Sequence, residues 1–259
     1  MHNAEKINET LGRSPPECCA AEGYWSAIDT TEVPYFGARW VGPLLPTKKC
    51  YVHRYVVAAA IDGPRKIPLS IRPISMFNSH AGAVEAVLRD IERLGFEVEG
   101  VYKDCGFFSV EVTEVLIRRN IPFAIAAKKT AGIRRVLEGL SGDGAHVVPY
   151  VVSASDGRRQ IRVDLVVYRP RGKRIVVVCR SMSLGEALGY WRRWDVETCN
   201  RMVMARRART CSRGVTLRWL LLLVSAVIYL LYVYLFCAAL RPRRATRVFL
   251  KRSVWLFFE

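Results

Sequence analysis

The sequence contains no Cys-x-x-Cys pair. Its eight cysteines and four histidines are scattered over 259 residues, so the ligand spacing of a structural zinc site is missing. No secretory signal peptide opens the chain, which predicts an intracellular, cytoplasmic protein with mostly buried, reduced thiols. Internal repeats and low-complexity tracts are absent, which excludes a solenoid or an array. Acidic residues are scarce: 23 Asp and Glu stand against 40 Lys and Arg, a net charge of +17. The shortage is steepest after Glu197, where twelve Lys and Arg are followed by a single acid, Glu259. Such a balance favours a polyanionic partner, nucleic acid first and an anionic membrane surface second.

The chain is 51% hydrophobic, enough for one large domain or two small ones with a sizeable core. Residues 1–22 are polar, carry Pro15-Pro16 and read as a leader or the remnant of an N-terminal region. Tyr24–Thr31 reads as a short strand with Asp29 near its end, and Glu32–Gly37 as the turn after it. Lys48–Ile61 and Arg65–Pro73 read as a hairpin broken at Asp62-Gly63-Pro64. An amphipathic helix follows over Ser79–Leu94, with Ser79 as cap and Gly95 as stop. Then come a strand over Glu97–Lys103, a turn at Asp104, a helix over Ser109–Asn120 and a strand over Ile121–Ala127. Residues 128–180 are rich in glycine and arginine and read as a β-rich insertion. Its antiparallel strands are placed at His146–Val152, Gln160–Tyr168 and Lys173–Arg180.

Tyr190–Arg207 reads as one uninterrupted helix, given bulk by Trp191, Trp194, Val196 and Met202. Tyr190, Arg193 and Glu197 are spaced by three and four, so they share one helix face, and Arg201 lies one turn further on. A solvated helix laced with i,i+4 ion pairs accounts for that spacing equally well. Trp219–Leu240 carries no charge and is long enough to span a bilayer or to form a deep core helix. Basic segments flank it on both sides, so the positive-inside rule selects no orientation.

Tyr190-x-x-Arg193-x-x-x-Glu197 resembles the tyrosine–arginine–glutamate–lysine signature of DDE-type insertion-sequence transposases. Ala27–Gly37, around Asp29, resembles the family's first-aspartate segment. Asp104-Cys-Gly-Phe-Phe resembles its second, and the likeness extends over about residues 24–240. The signature's lysine falls on Met204, which leaves Arg201 or Arg207 to take its place.

The resemblance implies an α/β, ribonuclease-H-like mixed sheet flanked by helices. Its first part is 23–127, and 128–180 is inserted before the last catalytic helix. Residues 181–240 hold the glutamate helix and a buried apolar helix, and 241–259 form a basic tail. Asp29, Asp104 and Glu197 become the catalytic carboxylates and the ligands of Mg²⁺, with Mn²⁺ as a substitute. Tyr190, Arg193, Arg201 and Arg207 become contacts to DNA phosphates. The implied activity is two-metal strand cleavage and strand transfer on transposon ends and target DNA, by a homodimer in a paired-end complex. The missing N-terminal end-binding region implies a truncated chain, and the apolar helix becomes core rather than membrane.

Other readings stay open at this point. They are a degenerate fragment that only binds DNA, another ribonuclease-H-like nuclease, and a basic protein anchored by Trp219–Leu240. Asp62 is a rival first carboxylate that its Asp-Gly-Pro turn explains without chemistry.

Overall fold

The computed structural model of the protein describes residues 24–35, 37, 44–47, 50–61, 66–74, 78–140, 142, 144–154, 157–170 and 173–238, the last three without their side chains. Asp62 and the tail after 238 lie outside the described residues.

The strands are β1 (Tyr24–Tyr35), β2 (Leu45–Pro46), β3 (Tyr51–Ala60), β4 (Ile67–Ile74), β5 (Val98–Lys103), β6 (Phe123–Ala126), β7 (His146–Ser153), β8 (Gln160–Tyr168) and β9 (Ile175–Arg180). The helices are α1 (His80–Arg93), α2 (Val110–Arg118), α3 (Ala131–Glu138), α4 (Leu184–Leu188), α5 (Trp194–Met204) and α6 (Val215–Ala238). The described strands form one mixed sheet, in the order β4-β3-β1-β5-β6-β9-β8-β7, with β2 paired to the start of β3. β1 runs antiparallel to β3 and parallel to β5, and β5 runs parallel to β6.

Side chains alternate across a strand, so neighbouring residues feed two different cores. Ile28, Val56 and Ala58 face α1–α3, where Val84, Val87, Leu88, Leu116 and Ile133 cover them. Ala27, Val57 and Tyr102 face the opposite side, under Val196, Cys199 and Val203 of α5 and Leu222, Leu223 and Ala226 of α6. The result is three layers, with helices on both faces of the sheet.

Local chemistry fixes the element ends. The Ser79 hydroxyl accepts from the Gly82 N–H at 3.0 Å to start α1, and Gly95 takes φ +78° just past its end. Ser109 accepts from the Val112 N–H at 3.3 Å to start α2, and Asn120 follows that helix in the left-handed region at φ 53°. Asp90, buried on α1, accepts from Ser70 Oγ and Arg72 Nε at 2.6 Å each and so ties α1 to β4.

Four details depart from the sequence expectation. β1 does not end at Thr31 but runs on to Tyr35. It pairs with β5 only as far as Ile28, so among the described residues its second half has one neighbouring strand, β3, and Pro34, opposite Val52, sits where the other side of β1 is unpaired. The 128–180 segment is continuous with the sheet, because β9 pairs antiparallel with β6. It also contains a helix, α3, started by the Thr130 hydroxyl. Finally, Tyr190–Arg207 is not one helix: Gly189–Arg193 is a 3-10 turn, and α5 proper begins at Trp194 and ends at Met204. The reason lies beneath the turn, where Tyr190 is drawn inward to the end of β5. A Cβ at Gly189 would lie 3.0 Å from the Tyr102 hydroxyl, so a larger residue would have to push the two slightly apart.

The apolar helix α6 starts at Val215, four residues before the uncharged stretch. One stripe of it docks on the sheet: Trp219 Nε1 donates to the Ile71 carbonyl at 3.0 Å, and Leu222, Leu223, Ala226, Tyr229 and Val233 are buried. Leu217, Leu231, Tyr234 and Leu235 are exposed on its outer side. By length and composition Val215–Leu235 could also cross a membrane.

Candidate active site

Ile28 of β1 lies opposite Lys103 of β5, and that is where the two parallel strands part. Asp29 and Asp104 are the next residue on each, so they stand together where the sheet opens, at the carboxyl end of adjacent parallel strands. Crevices of this kind hold ligands in open α/β sheets. Asp29 is therefore in mid-strand rather than at a strand end, as the extension of β1 requires. Asp104 precedes the 3-10 turn Cys105–Phe107, and its side chain caps nothing there. The Cys105 thiol donates to Asp104 Oδ2 at 3.8 Å.

Glu197, in the first turn of α5, comes to the same crevice through Arg193. That guanidinium donates to Asp29 Oδ2 at 3.1 Å and to Glu197 Oε1 at 2.9 Å. The Arg193 side chain is only 8% exposed, and its planar fork bridges β1 to α5. The rings of Tyr190 and Trp194 lie 6.0 and 5.1 Å from it.

Burial pushes the Asp29 carboxyl up to about 6. The Thr30 N–H and the Arg193 charge pull it down, while Asp104 and Glu197 push it up. The three carboxylates thus act on one another, and Arg193 supplies the compensating charge. Their donor chemistry, all hard oxygen with no thiolate or imidazole, fits a divalent cation such as Mg²⁺ or Mn²⁺. Their spacing is looser than a closed cage: among the described residues no three acids, His or Cys are close enough to grip one ion together.

The remaining expected site residues separate. Tyr190 does not face outward for a phosphate. Its ring is buried and its hydroxyl donates to the Lys103 carbonyl at 2.9 Å, which pins the start of α5 to the end of β5. Arg201 is exposed in the last turn of α5, and Arg207 is half-buried after the helix. Met204, at the lysine position of the signature, packs against the α5–α6 core. Asp195 pairs with Lys66 at 2.7 Å, away from the crevice. Trp191 and Trp194, expected to give the helix bulk, are instead 62% and 59% exposed and flank Arg193.

One residue beside the site escaped the sequence reading. Lys103 is fully buried, its Nζ has no hydrogen-bond partner among the described residues, and it lies 5.0 Å from the Phe107 ring. Burial lowers its pKa well below the ordinary lysine value. Its only sequence signal is a lysine closing an otherwise apolar strand end, Val101-Tyr102-Lys103, directly before Asp104.

The sequence matches no protein-family model and no curated protein. A solved structure does share its architecture. At 10% identity and a TM-score of 0.52, the chain superposes on the transposase of a cryo-EM structure, the piggyBac transposase synaptic complex with hairpin DNA. The chain shares the fold of the matched part of that structure. That match covers 91% of this chain and 57% of the piggyBac chain. A Drosophila P element transposase strand transfer complex also matches, at 11% identity over 95% of this chain and 52% of that one. Its TM-score of 0.27 adds nothing to the fold comparison. The chain spans little more than half the length of either transposase.

Proposed function

We propose that this chain is the catalytic region of a DDE-type transposase that cuts and joins DNA strands by metal-dependent phosphoryl transfer. The observation that carries the reading is that Asp29 and Asp104 follow the last paired residues of adjacent parallel strands, while Arg193 bridges Asp29 to Glu197 of α5. The order β4-β3-β1-β5-β6, with β3 antiparallel, supports the ribonuclease-H-like core on which such carboxylates are expected. The spacing of Tyr190, Arg193 and Glu197 favours an insertion-sequence element as its source.

Asp29, Asp104 and Glu197 would hold Mg²⁺, or Mn²⁺ in its place. The bound ions would supply charge stabilisation at the scissile phosphate and lower the pKa of the attacking water or 3′-hydroxyl. Asp29 is mostly ionised at neutral pH, so it is ready to bind a cation without first losing a proton. Glu197, the most exposed partner of Arg193, is the ligand that can leave its ion pair at least cost. Arg193 then has one fork arm for Asp29 and one for a substrate phosphate. Tyr190 acts by position, holding the Arg193 turn on β5. Arg201 and Arg207 contribute positive charge along the DNA path, and two copies of the chain pair two DNA ends.

The test is nicking of DNA carrying the element's flanking ends, with Mg²⁺ or Mn²⁺, beside a Glu197→Gln control. Nicking lost in the control supports the reading, and a folded protein that binds DNA without nicking it overturns the activity. A second reading has its own observation. Arg193 already bridges Asp29 and Glu197, and Met204 replaces the signature lysine, a combination that favours a DNA-binding relic with no cleavage. Tight DNA binding, with no metal requirement and no nicking, distinguishes it.

A further inference from the structure

The segment that follows β6 concentrates exposed positive charge beside the crevice. Lys128-Lys129-Thr130 leaves the end of β6, and Ala131-Gly132-Ile133-Arg134-Arg135 forms the first part of α3. Ile133 and Leu137 are buried and pin one side of α3 to the core. With about 100° between successive helical residues, Arg134 and Arg135 turn away from that side. Both are exposed, as are Lys128 and Lys129. Elsewhere on the surface arginines are matched: Arg54 holds Glu32, Arg72 holds Asp90, Arg119 holds Glu85 and Arg159 holds Glu111. Among the described residues, none of Lys128, Lys129, Arg134 and Arg135 has an ion-pair partner. The first turn of α3 contains no acid. Its one acid, Glu138, stands a turn past Arg134 without pairing to it.

The sheet places this charge next to the carboxylates. Lys103 of β5 lies opposite Ile125 of β6, so Asp104 comes level with Ala126. Lys128 is two residues further along and one strand across, about 8 Å from Asp104. Its charge acts on the Cys105 thiol, next to Asp104, and on His80 at the start of α1. Glu197 and Arg193 reach the crevice from α5, which covers one face of the sheet, whereas α3 packs on the other. The four cations therefore line the flank of the crevice that α5 does not occupy. The N-terminus of α3 adds partial positive charge there. The Tyr150 hydroxyl of β7 comes to the same turn, 3.0 Å from where a Cβ at Gly132 would lie.

We propose that Lys128, Lys129, Arg134 and Arg135 form a nucleic-acid-binding surface that holds the backbone of a strand leaving the candidate active site on the side away from α5. The segment from Lys128 to Arg135 is about 12 Å long, enough for about three phosphates of one strand. Unpaired cations on an open surface suit a backbone, because they position it through charge and read no bases. The nucleic-acid partner rests on the proposed function, whereas the exposed, unpaired charge does not.

DNA affinity of the full chain, read by fluorescence anisotropy over a salt series, tests this. The proteins are wild type, Lys128→Gln/Lys129→Gln, Arg134→Gln/Arg135→Gln and a control, Arg93→Gln/Arg180→Gln. The control removes the same charge from exposed residues at the other end of the sheet, where α1 ends and where Arg180 lies opposite Phe123 at the start of β6. All six side chains are exposed, so melting temperatures should match wild type and confirm folded variants. Each double variant of the surface should bind duplex DNA at least about tenfold more weakly at low salt. Its slope of log affinity against log salt should be shallower by about 1.8, the equivalent of about two phosphate contacts. The control should stay within about twofold of wild type. Loss no greater than in the control overturns the surface, because net charge alone then explains it, and so does a wild type that binds no DNA. Unchanged DNA affinity with lost binding to phosphatidylserine vesicles also overturns it and assigns the patch to an anionic membrane. Failure of the transposase reading shows separately: DNA affinity falls in the surface variants, yet wild type does not nick DNA with metal present.

Discussion

Asp29 makes the candidate site a measurable burden on the fold. Its carboxyl is raised from 3.8 to about 6, so the folded protein holds this proton more tightly than the unfolded chain does. Its contribution is therefore most favourable below about pH 4 and is lost as pH rises through about 6. The whole shift corresponds to about 3 kcal/mol, of which about 2 kcal/mol is lost between about pH 4.5 and about pH 7.5. Asparagine mimics the protonated carboxyl, so the gain in stability of Asp29→Asn over wild type should be larger at the neutral end than at the acidic end by about 2 kcal/mol or somewhat less, since Arg193 keeps only Glu197 as an acidic partner. Urea unfolding of both proteins across that pH range, with chelator present, reads the difference. Comparing the two pH values cancels any effect of the substitution that does not depend on ionisation. A stability difference that stays flat with pH, or grows toward acid, would refute the claim that burial and the neighbouring acids strain Asp29.

Other consequences follow from individual contacts. Arg193→Ala removes the charge that pulls Asp29 down, so the apparent pKa of Asp29, followed by carboxyl NMR, should move higher still; an unchanged value would place Arg193 outside the site. Lys103 is buried with no hydrogen-bond partner among the described residues, so Lys103→Met should stabilise the protein at neutral pH by about 1–3 kcal/mol in urea unfolding. Because its folded pKa is lowered, the wild-type chain should lose stability relative to this variant as pH falls through the lysine range, and destabilisation by the substitution would count against an uncompensated amine. Asp90→Ala should cost about 3 kcal/mol by stripping the carboxylate from Arg72 and Ser70, and a cost below about 1 kcal/mol would show that α1 is not held to β4 by this network.

Much of this fold is legible in the sequence because local chemistry and hydrophobic period agree. Ser79 and Ser109 start their helices as their positions suggest, Gly95 lies just past the end of α1, and the run from β3 to β6 follows the expected order. The misreadings share a cause: pairing over long sequence distance overrode a local signal. Pro34 reads as a turn residue, yet β3 extends the strand through it because β5 has already departed on the other side. Tyr190–Arg207 reads as one helix, yet the hydroxyl of Tyr190 is spent on a carbonyl 87 residues earlier, and the backbone tightens to let it reach. The glycines between 128 and 180 suggest an insertion into the fold, and nothing local reveals that its last strand, β9, adds to β6.

At the site, the three carboxylates come from sequence spacing and from a family resemblance. The contacts that organise them are visible only in three dimensions. Spacing alone puts Arg193 and Glu197 on one face, but not Asp29 in the same guanidinium fork. Likewise, Lys103 looks like the polar end of a strand, and its complete burial follows only from Phe107 and the helices stacked above it.

The central claim, that Asp29, Asp104 and Glu197 act together in cutting DNA, is tested most directly by one side-by-side assay. Wild type, Asp29→Asn, Asp104→Asn and Glu197→Gln are assayed for Mn²⁺- and Mg²⁺-dependent nicking, with DNA binding measured on the same preparations. The account expects metal-dependent nicking by wild type, its loss in all three variants, and DNA affinity within a few-fold of wild type throughout. Full nicking by any one of the variants, or none by a wild-type protein that is folded and binds DNA, would contradict it.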